Sequence, residues 1–300
     1  MPRIAAGVVA VALAMSSAPA FAATTLRLPA HVCTSPFALF ADGLEGDTAI
    51  VRDASNGSGG AVGATTRVIA VPGIGNRSIH LHVPSQLDPA RPAPLLVVLH
   101  GAAGSPAAAD TAAQQLRTAW GAIGDDAGFI TVAPVASGAS GGWIAPPGVS
   151  DYDVIAAAIA DVEARYNVDR SRRHAWGFSA GGHVLHDLML GPYFPALTEQ
   201  DFAGYAVAAG ALDALACAGL SEPACGALLG GASRPIPLSL QVGTGDGLLP
   251  YVRDDRVRFL AAGWDEAATL RYVEFAGGHT YTAQQLAQTW QWLCPFQRLP

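Results

Sequence analysis

Leu95 to Leu99 is an unbroken run of Leu and Val. It is too short for a stable helix and apolar at every position, which is the pattern of a strand buried on both faces. Shorter or looser versions recur at Gly128–Pro134, Arg172–Trp176, Tyr205–Gly210, Ile236–Val242 and Leu270–Phe275. Between them lie stretches with helical composition: Ala107–Gly121, Asp151–Tyr166, Ala180–Leu190, Arg253–Ala262 and Ala283–Leu293. In the second of these, Val154, Ile155, Ala158, Ile159 and Val162 fall on one stripe. This alternation predicts an α/β fold, a mainly parallel twisted sheet with helices on both faces. Ahead of it, two alternating runs, Arg67–Val71 and Ser78–Val83, flank Pro72–Asn76. They predict a hairpin that adds antiparallel strands at one edge. Period two puts Ile79, Leu81 and Val83 on one face of its second strand. His80 and His82 then fall on the other face, where solvent exposure is expected rather than a metal.

The first stretch has a different pattern. Arg3 precedes an apolar run from Ile4 to Met15, and Ala20-Phe21-Ala22 follows as an A-x-A site. That is the signature of a signal peptide, residues 1–22, cleaved after Ala22. The protein is therefore expected to be secreted or periplasmic, with no membrane anchor after cleavage. Residues 23–66 carry a Gly/Ser-rich stretch and read as an N-terminal extension. Residues 67–300 read as the catalytic unit.

With 51% apolar and 14% charged residues among 300, a large core is available. The net charge of −7, with no basic run, points away from nucleic acid. Cys33, Cys217, Cys225 and Cys294 allow three pairings. Export suits disulfides. Cys33–Cys294 with Cys217–Cys225 is the favoured pairing, since the second closes a short Gly/Pro-containing loop. No metal-ligand spacing and no cofactor motif is present.

The candidate chemistry centres on Gly177-Phe178-Ser179-Ala180-Gly181, a G-x-S-x-G run between a predicted strand and a predicted helix. In that context Ser179 occupies a tight turn at a helix N-terminus, and flanking glycines let strand and helix approach. Asp246 follows the strand ending at Val242, and His279 follows the strand ending at Phe275. All three fall at C-terminal ends of strands, where parallel sheets collect active residues, and in the order Ser, Asp, His. His100-Gly101-Ala102 follows the Leu95–Leu99 strand with small side chains, as an oxyanion loop would. The backbone N–H groups of Ala102 and Ala180 are its expected donors. Asp213 is the competing acid. His183 and His186 are competing bases, read as packing or surface residues that the helix carries away from the Ser179 hydroxyl. His100 reads as structural. Trp143, Tyr152 and Tyr281 are candidates for the substrate-pocket wall, with core packing as the alternative.

Leu99-His100-Gly101, Gly177–Gly182, Gly243-Thr244-Gly245-Asp246 and Gly277-Gly278-His279-Thr280 together resemble the α/β-hydrolase superfamily. More narrowly, they are similar to its secreted polyhydroxybutyrate-depolymerase and feruloyl-esterase-like group. The resemblance spans roughly residues 67–293. It implies a serine esterase that forms an acyl-enzyme through Ser179, His279 and Asp246, with a small or oligomeric ester as substrate and no cofactor. The chain departs from the group at Ala102, often Cys there, and at Tyr281, often Trp, which leaves the acyl and alcohol specificity open. An exported peptidase of the same fold and a non-catalytic binding protein on this scaffold are the alternative functions.

Overall fold

The computed structural model describes residues 24–28, 33 and 53–299. The expected signal peptide lies outside them. An eight-stranded sheet carries the molecule. Its strands are β2 (Gly63–Val71), β3 (Gly75–Val83), β4 (Ala93–Leu99), β5 (Ile130–Pro134), β6 (Val168–Phe178), β7 (Gly204–Ala208), β8 (Leu238–Gly243) and β9 (Leu270–Phe275). They lie in the order β2-β3-β5-β4-β6-β7-β8-β9. From β5 to β9 every neighbour is parallel, and the β2–β3 hairpin joins β5 antiparallel at one edge. The hairpin begins earlier than the alternation of its side chains suggests, at Gly63, inside the expected extension.

Among the described residues, six α-helices flank the sheet: α1 (Pro106–Ala127), α2 (Asp151–Arg165), α3 (Ala180–Leu190), α4 (Glu222–Gly230), α5 (Leu249–Ala261) and α6 (Ala283–Leu293). The β4 run shows how the two faces divide. Leu95, Val97 and Leu99 join the core under α2 and α3, whereas Leu96 and Val98 join the core under α1 and α6. A strand with helices on both sides has no polar face, which explains its continuous apolar sequence. Ser105 caps α1 through Ala108 N–H, and Ser150 and Asp153 form a reciprocal capping box at the start of α2.

His80 and His82 do not face solvent. β3 lies between β2 and β5, and α1 covers the face that carries both imidazoles. His80 is 1% exposed and bonds Thr66 Oγ1 and Asp110, each at 2.9 Å. His82 Nε2 bonds Asp125 at 2.8 Å. Alternation gave the two faces correctly, but it could not tell that a helix covers the polar one.

A separate two-stranded ribbon pairs β1 (Thr25–Arg27) antiparallel with β10 (Phe296–Arg298). Cys33 is bonded to Cys294 beside it, and Cys217 to Cys225. Residues 53–60 run against the start of β6: Ser55 Oγ accepts from Val168 N–H at 2.8 Å and donates to the Tyr166 carbonyl at 2.7 Å. Among the described residues, no helix is long and apolar enough to cross a membrane.

Candidate active site

Ser179 stands between β6 and α3 with φ 52° and ψ −119°, a conformation that a side chain rarely adopts. Crowding around the turn explains its two glycines. A Cβ at Gly177 would approach the Gly181 carbonyl oxygen to 2.4 Å, and one at Gly181 would approach the Leu99 carbonyl oxygen to the same distance. Ser179 N–H is held by the Ala208 carbonyl at 2.9 Å. Its Oγ is thereby fixed at the helix N-terminus, where unpaired N–H groups favour developing negative charge.

Asp246 and His279 come from the loops after β8 and β9. Those loops are laced together: Thr244 N–H donates to the Phe275 carbonyl at 2.8 Å and Gly245 N–H to the Gly277 carbonyl at 2.7 Å. Asp246 Oδ1 accepts from Leu248 N–H at 2.9 Å, and its Oδ2 lies 2.9 Å from His279 Nδ1. His279 Nε2 lies 2.9 Å from Ser179 Oγ. A carboxylate only accepts, so Nδ1 carries the imidazole proton and Nε2 is free to accept from the serine hydroxyl. The carboxylate is 2% exposed and the imidazole 44%, so the line runs from the interior outward. The Phe178 ring backs the imidazole at 4.9 Å between ring centres.

Gly101 packs closely against Ser179. A Cβ at Gly101 would lie 3.2 Å from the Ser179 Cβ. His100 Nε2 accepts from Ala136 N–H at 3.2 Å, so its Nδ1 carries the proton and donates to the Gly101 carbonyl at 2.6 Å. Burial lowers the His100 pKa, which keeps the ring neutral. A trans peptide points its N–H away from its carbonyl, so anchoring the Gly101 carbonyl aims Ala102 N–H away from His100. Among the described residues, neither Ala102 N–H nor Ala180 N–H has a protein acceptor.

The other candidates separate clearly. Trp143 is partly buried, donates Nε1–H to the His100 carbonyl at 2.7 Å and packs on the His100 ring. Tyr281 leans on Phe178 and Trp176, with ring centres 5.1 Å away in both cases. Tyr152 is a correction to the expected pocket wall: it is 1% exposed, with its hydroxyl donating to Asp187 at 2.5 Å in the core. Asp213 is engaged by Arg258 at 2.8 Å rather than by His279. His186 is buried against Tyr205 and Phe259. His183, expected to pack or to lie at the surface, holds its ring against the Ala211 backbone. It is partly open to solvent, and proximity to His279 helps to hold its pKa down.

No protein-family model matches the chain. Over 178 residues, 58% of its length, it is 29% identical to a bifunctional acetylxylan esterase/xylanase of Neocallimastix patriciarum. It spans about a fifth of that relative, 22% of its length. Among solved structures, a ferulic acid esterase superposes with a TM-score of 0.59 at 17% identity, over 77% of this chain and 97% of that one. The S-formylglutathione hydrolase FrmB of Staphylococcus aureus superposes with a TM-score of 0.54 at 15% identity, over 78% of this chain and all (100%) of that one.

Proposed function

We propose that this chain, which has the α/β-hydrolase fold, is an exported serine esterase that hydrolyses carboxylic esters through an acyl-enzyme. One observation carries the reading: the hydrogen-bonded line Ser179–His279–Asp246, with the Ala102 and Ala180 N–H groups, next to Gly101 and Ser179, lacking an acceptor among the described residues. Nothing in a purely structural role requires all of these together.

In this reading the Ser179 oxygen attacks the ester carbonyl carbon as His279 Nε2 takes its proton. The carbonyl oxygen becomes an oxyanion held by Ala102 N–H and Ala180 N–H. His279 then hands the proton to the departing alkoxide oxygen as the carbon–oxygen bond breaks, leaving the acyl group on Ser179. Water attacks that acyl carbon while giving a proton to His279, and the proton returns to Ser179 as the acid departs. Asp246 holds the imidazole tautomer and stabilises its charged form.

The name of the curated relative and that of the first solved structure support acetyl and feruloyl esters as first substrates. The sequence motifs add hydroxyalkanoate oligomers. Removal of residues 1–22 on export, with the two disulfides forming outside the cytoplasm, completes the proposal. The test is turnover of p-nitrophenyl esters from acetate to palmitate and of methyl ferulate by the protein lacking residues 1–22, beside Ser179→Ala. Turnover that the substitution removes is expected. Full turnover in Ser179→Ala refutes the assignment. An inert wild type that a fluorophosphonate also fails to label returns the fold to a binding role.

A further inference from the structure

His183 has a ring nitrogen that the reaction above does not use. Its Nδ1 lies 2.9 Å from Ala211 N and 3.1 Å from Ala211 O. Two arrangements fit those distances, and the satisfaction of buried donors decides between them. The Ala211 carbonyl already accepts from Ala214 N–H at 3.3 Å. Ala211 N–H has no acceptor other than His183 Nδ1 among the described residues, and Ala211 is 2% exposed. Leaving a buried N–H unpaired is the more costly choice, so Nδ1 accepts and the proton sits on Nε2. Burial lowers the pKa of this imidazole more than its bond to Ala211 raises it, so the ring stays neutral. Nε2 is not among the sealed, unpartnered nitrogens of the molecule and bonds no described residue, so its N–H is open to solvent.

The position of the ring fixes what that N–H can meet. His183 follows Ser179 by one helical turn, and its Cα–Cβ bond tilts toward the N-terminus that Ser179 begins. Ala211, which holds the ring, follows β7, on the far side of β6 from β4 and its His100–Ala102 loop and on the same side as β8 and β9, whose loops carry Asp246 and His279. We infer that His183 is a specificity-determining residue whose Nε2–H donates to an acceptor oxygen on the alcohol half of the ester. The inference rests on the serine-esterase reading, because in that reading His279 returns its proton to the departing alcohol. A donor beside His279 therefore meets the alcohol side, while the Ala102–Ala180 side holds the carbonyl oxygen. The favoured substrates are esters of oxygen-bearing alcohols, such as polyols and carbohydrates, over plain alkyl esters of the same size.

The experiment compares 2-methoxyethyl acetate with n-butyl acetate, which differ by one ether oxygen in place of one methylene. An ether only accepts, so the pair reads the proposed donor alone. The quantity is the ratio of kcat/KM for the two esters in wild type, His183→Leu and His183→Gln. Comparing ratios across variants cancels the intrinsic reactivity difference between the esters. Losing one neutral hydrogen bond should lower the ratio about five- to tenfold in His183→Leu. Recovery of at least half that loss is expected in His183→Gln, whose amide restores a donor. A ratio within twofold of wild type in both variants overturns the assignment. Fluorophosphonate labelling of Ser179 in each variant reports that the site is assembled. If the leucine variant does not label, the glutamine variant decides on the same pair: since Gln keeps a donor, a fall of fivefold or more there also refutes the assignment. A wild type that neither labels nor turns over acetates would instead sink the esterase reading itself, and this inference with it.

Discussion

Trp143 and His100 pin each other: the indole Nε1–H donates to the His100 carbonyl at 2.7 Å, and the two rings lie 4.9 Å apart. His100 in turn anchors the Gly101 carbonyl, so the indole steadies the peptide whose N–H would hold the oxyanion in the proposed reaction. Trp143→Phe keeps the ring contact and loses the donor. We expect kcat/KM on p-nitrophenyl acetate to fall roughly tenfold, chiefly in kcat, because slight misalignment of an oxyanion donor weakens transition-state binding. A change confined to KM would instead mean that Trp143 touches substrate directly.

The two candidate acids can be separated by amide substitution. Asp246→Asn removes the carboxylate that fixes the His279 tautomer, and kcat should fall by about 10⁴. Asp213 is bound to Arg258 on the surface, so Asp213→Asn should leave kcat within about threefold, as expected for a surface ion pair. Steady-state rates on one p-nitrophenyl ester suffice. Equal losses in the two variants would reopen the choice of acid.

Tyr152→Phe should act on stability. The lost hydroxyl leaves the Asp187 carboxylate buried without its 2.5 Å donor, and burial already raises the Asp187 pKa. A loss of roughly 1–3 kcal/mol is expected, read as a lower denaturant midpoint. Ser179 labelling per folded molecule should match wild type. A selective change in substrate preference at unchanged stability would return Tyr152 to the pocket wall.

Stability should fall on the acid side. Burial pushes His174 and His186 down to about 3, so the unfolded chain takes up their protons near 6.5 while the folded chain refuses them. Their contribution is full above pH 6.5 and is lost as the pH falls toward 3. Asp255 opposes them. Burial pushes it up to about 7, against Leu212 N–H and Arg258, so its contribution is full below its unfolded value of 3.8 and is lost as the pH rises through 7. Each is worth on the order of a few kcal/mol at most. Melting temperature from pH 4 to 8 should therefore drop toward acid, less steeply in His174→Leu and more steeply in Asp255→Asn. Parallel curves for all three proteins would contradict this account.

The two disulfides should differ in worth. Cys33–Cys294 spans 261 residues and Cys217–Cys225 spans 8. Chain-entropy scaling assigns about 5–6 kcal/mol to the first and about 2–3 to the second. Paired Cys→Ser variants in guanidinium unfolding measure the difference, and a larger loss from the short loop would show that native-state contacts dominate.

The strands and helices that position Ser179, Asp246 and His279 were legible because central parallel strands are apolar at every position and motif residues sit at their ends. What escaped the sequence was polarity inside the fold. β6 extends four residues earlier than its apolar core suggests, because Arg173 pairs with Glu163 and Asp169 bonds Ser171. The helix α4 carries Pro and Gly and gives no periodic stripe. The β1–β10 ribbon joins two three-residue strands at opposite ends of the sequence, too short for any local signal. For His183, spacing along a helix gives direction but not which loop, here Ala211, locks the ring.

That ribbon also sets the molecule's polarity as a building block. Gln297 in β10 bonds Ser171 near the start of β6, eight residues before Ser179 and roughly 26 Å below it along the strand. Both outer strands therefore emerge on the side opposite the nucleophile. Attached to a bead through either strand, the molecule would stand with Ser179 turned toward the surrounding liquid.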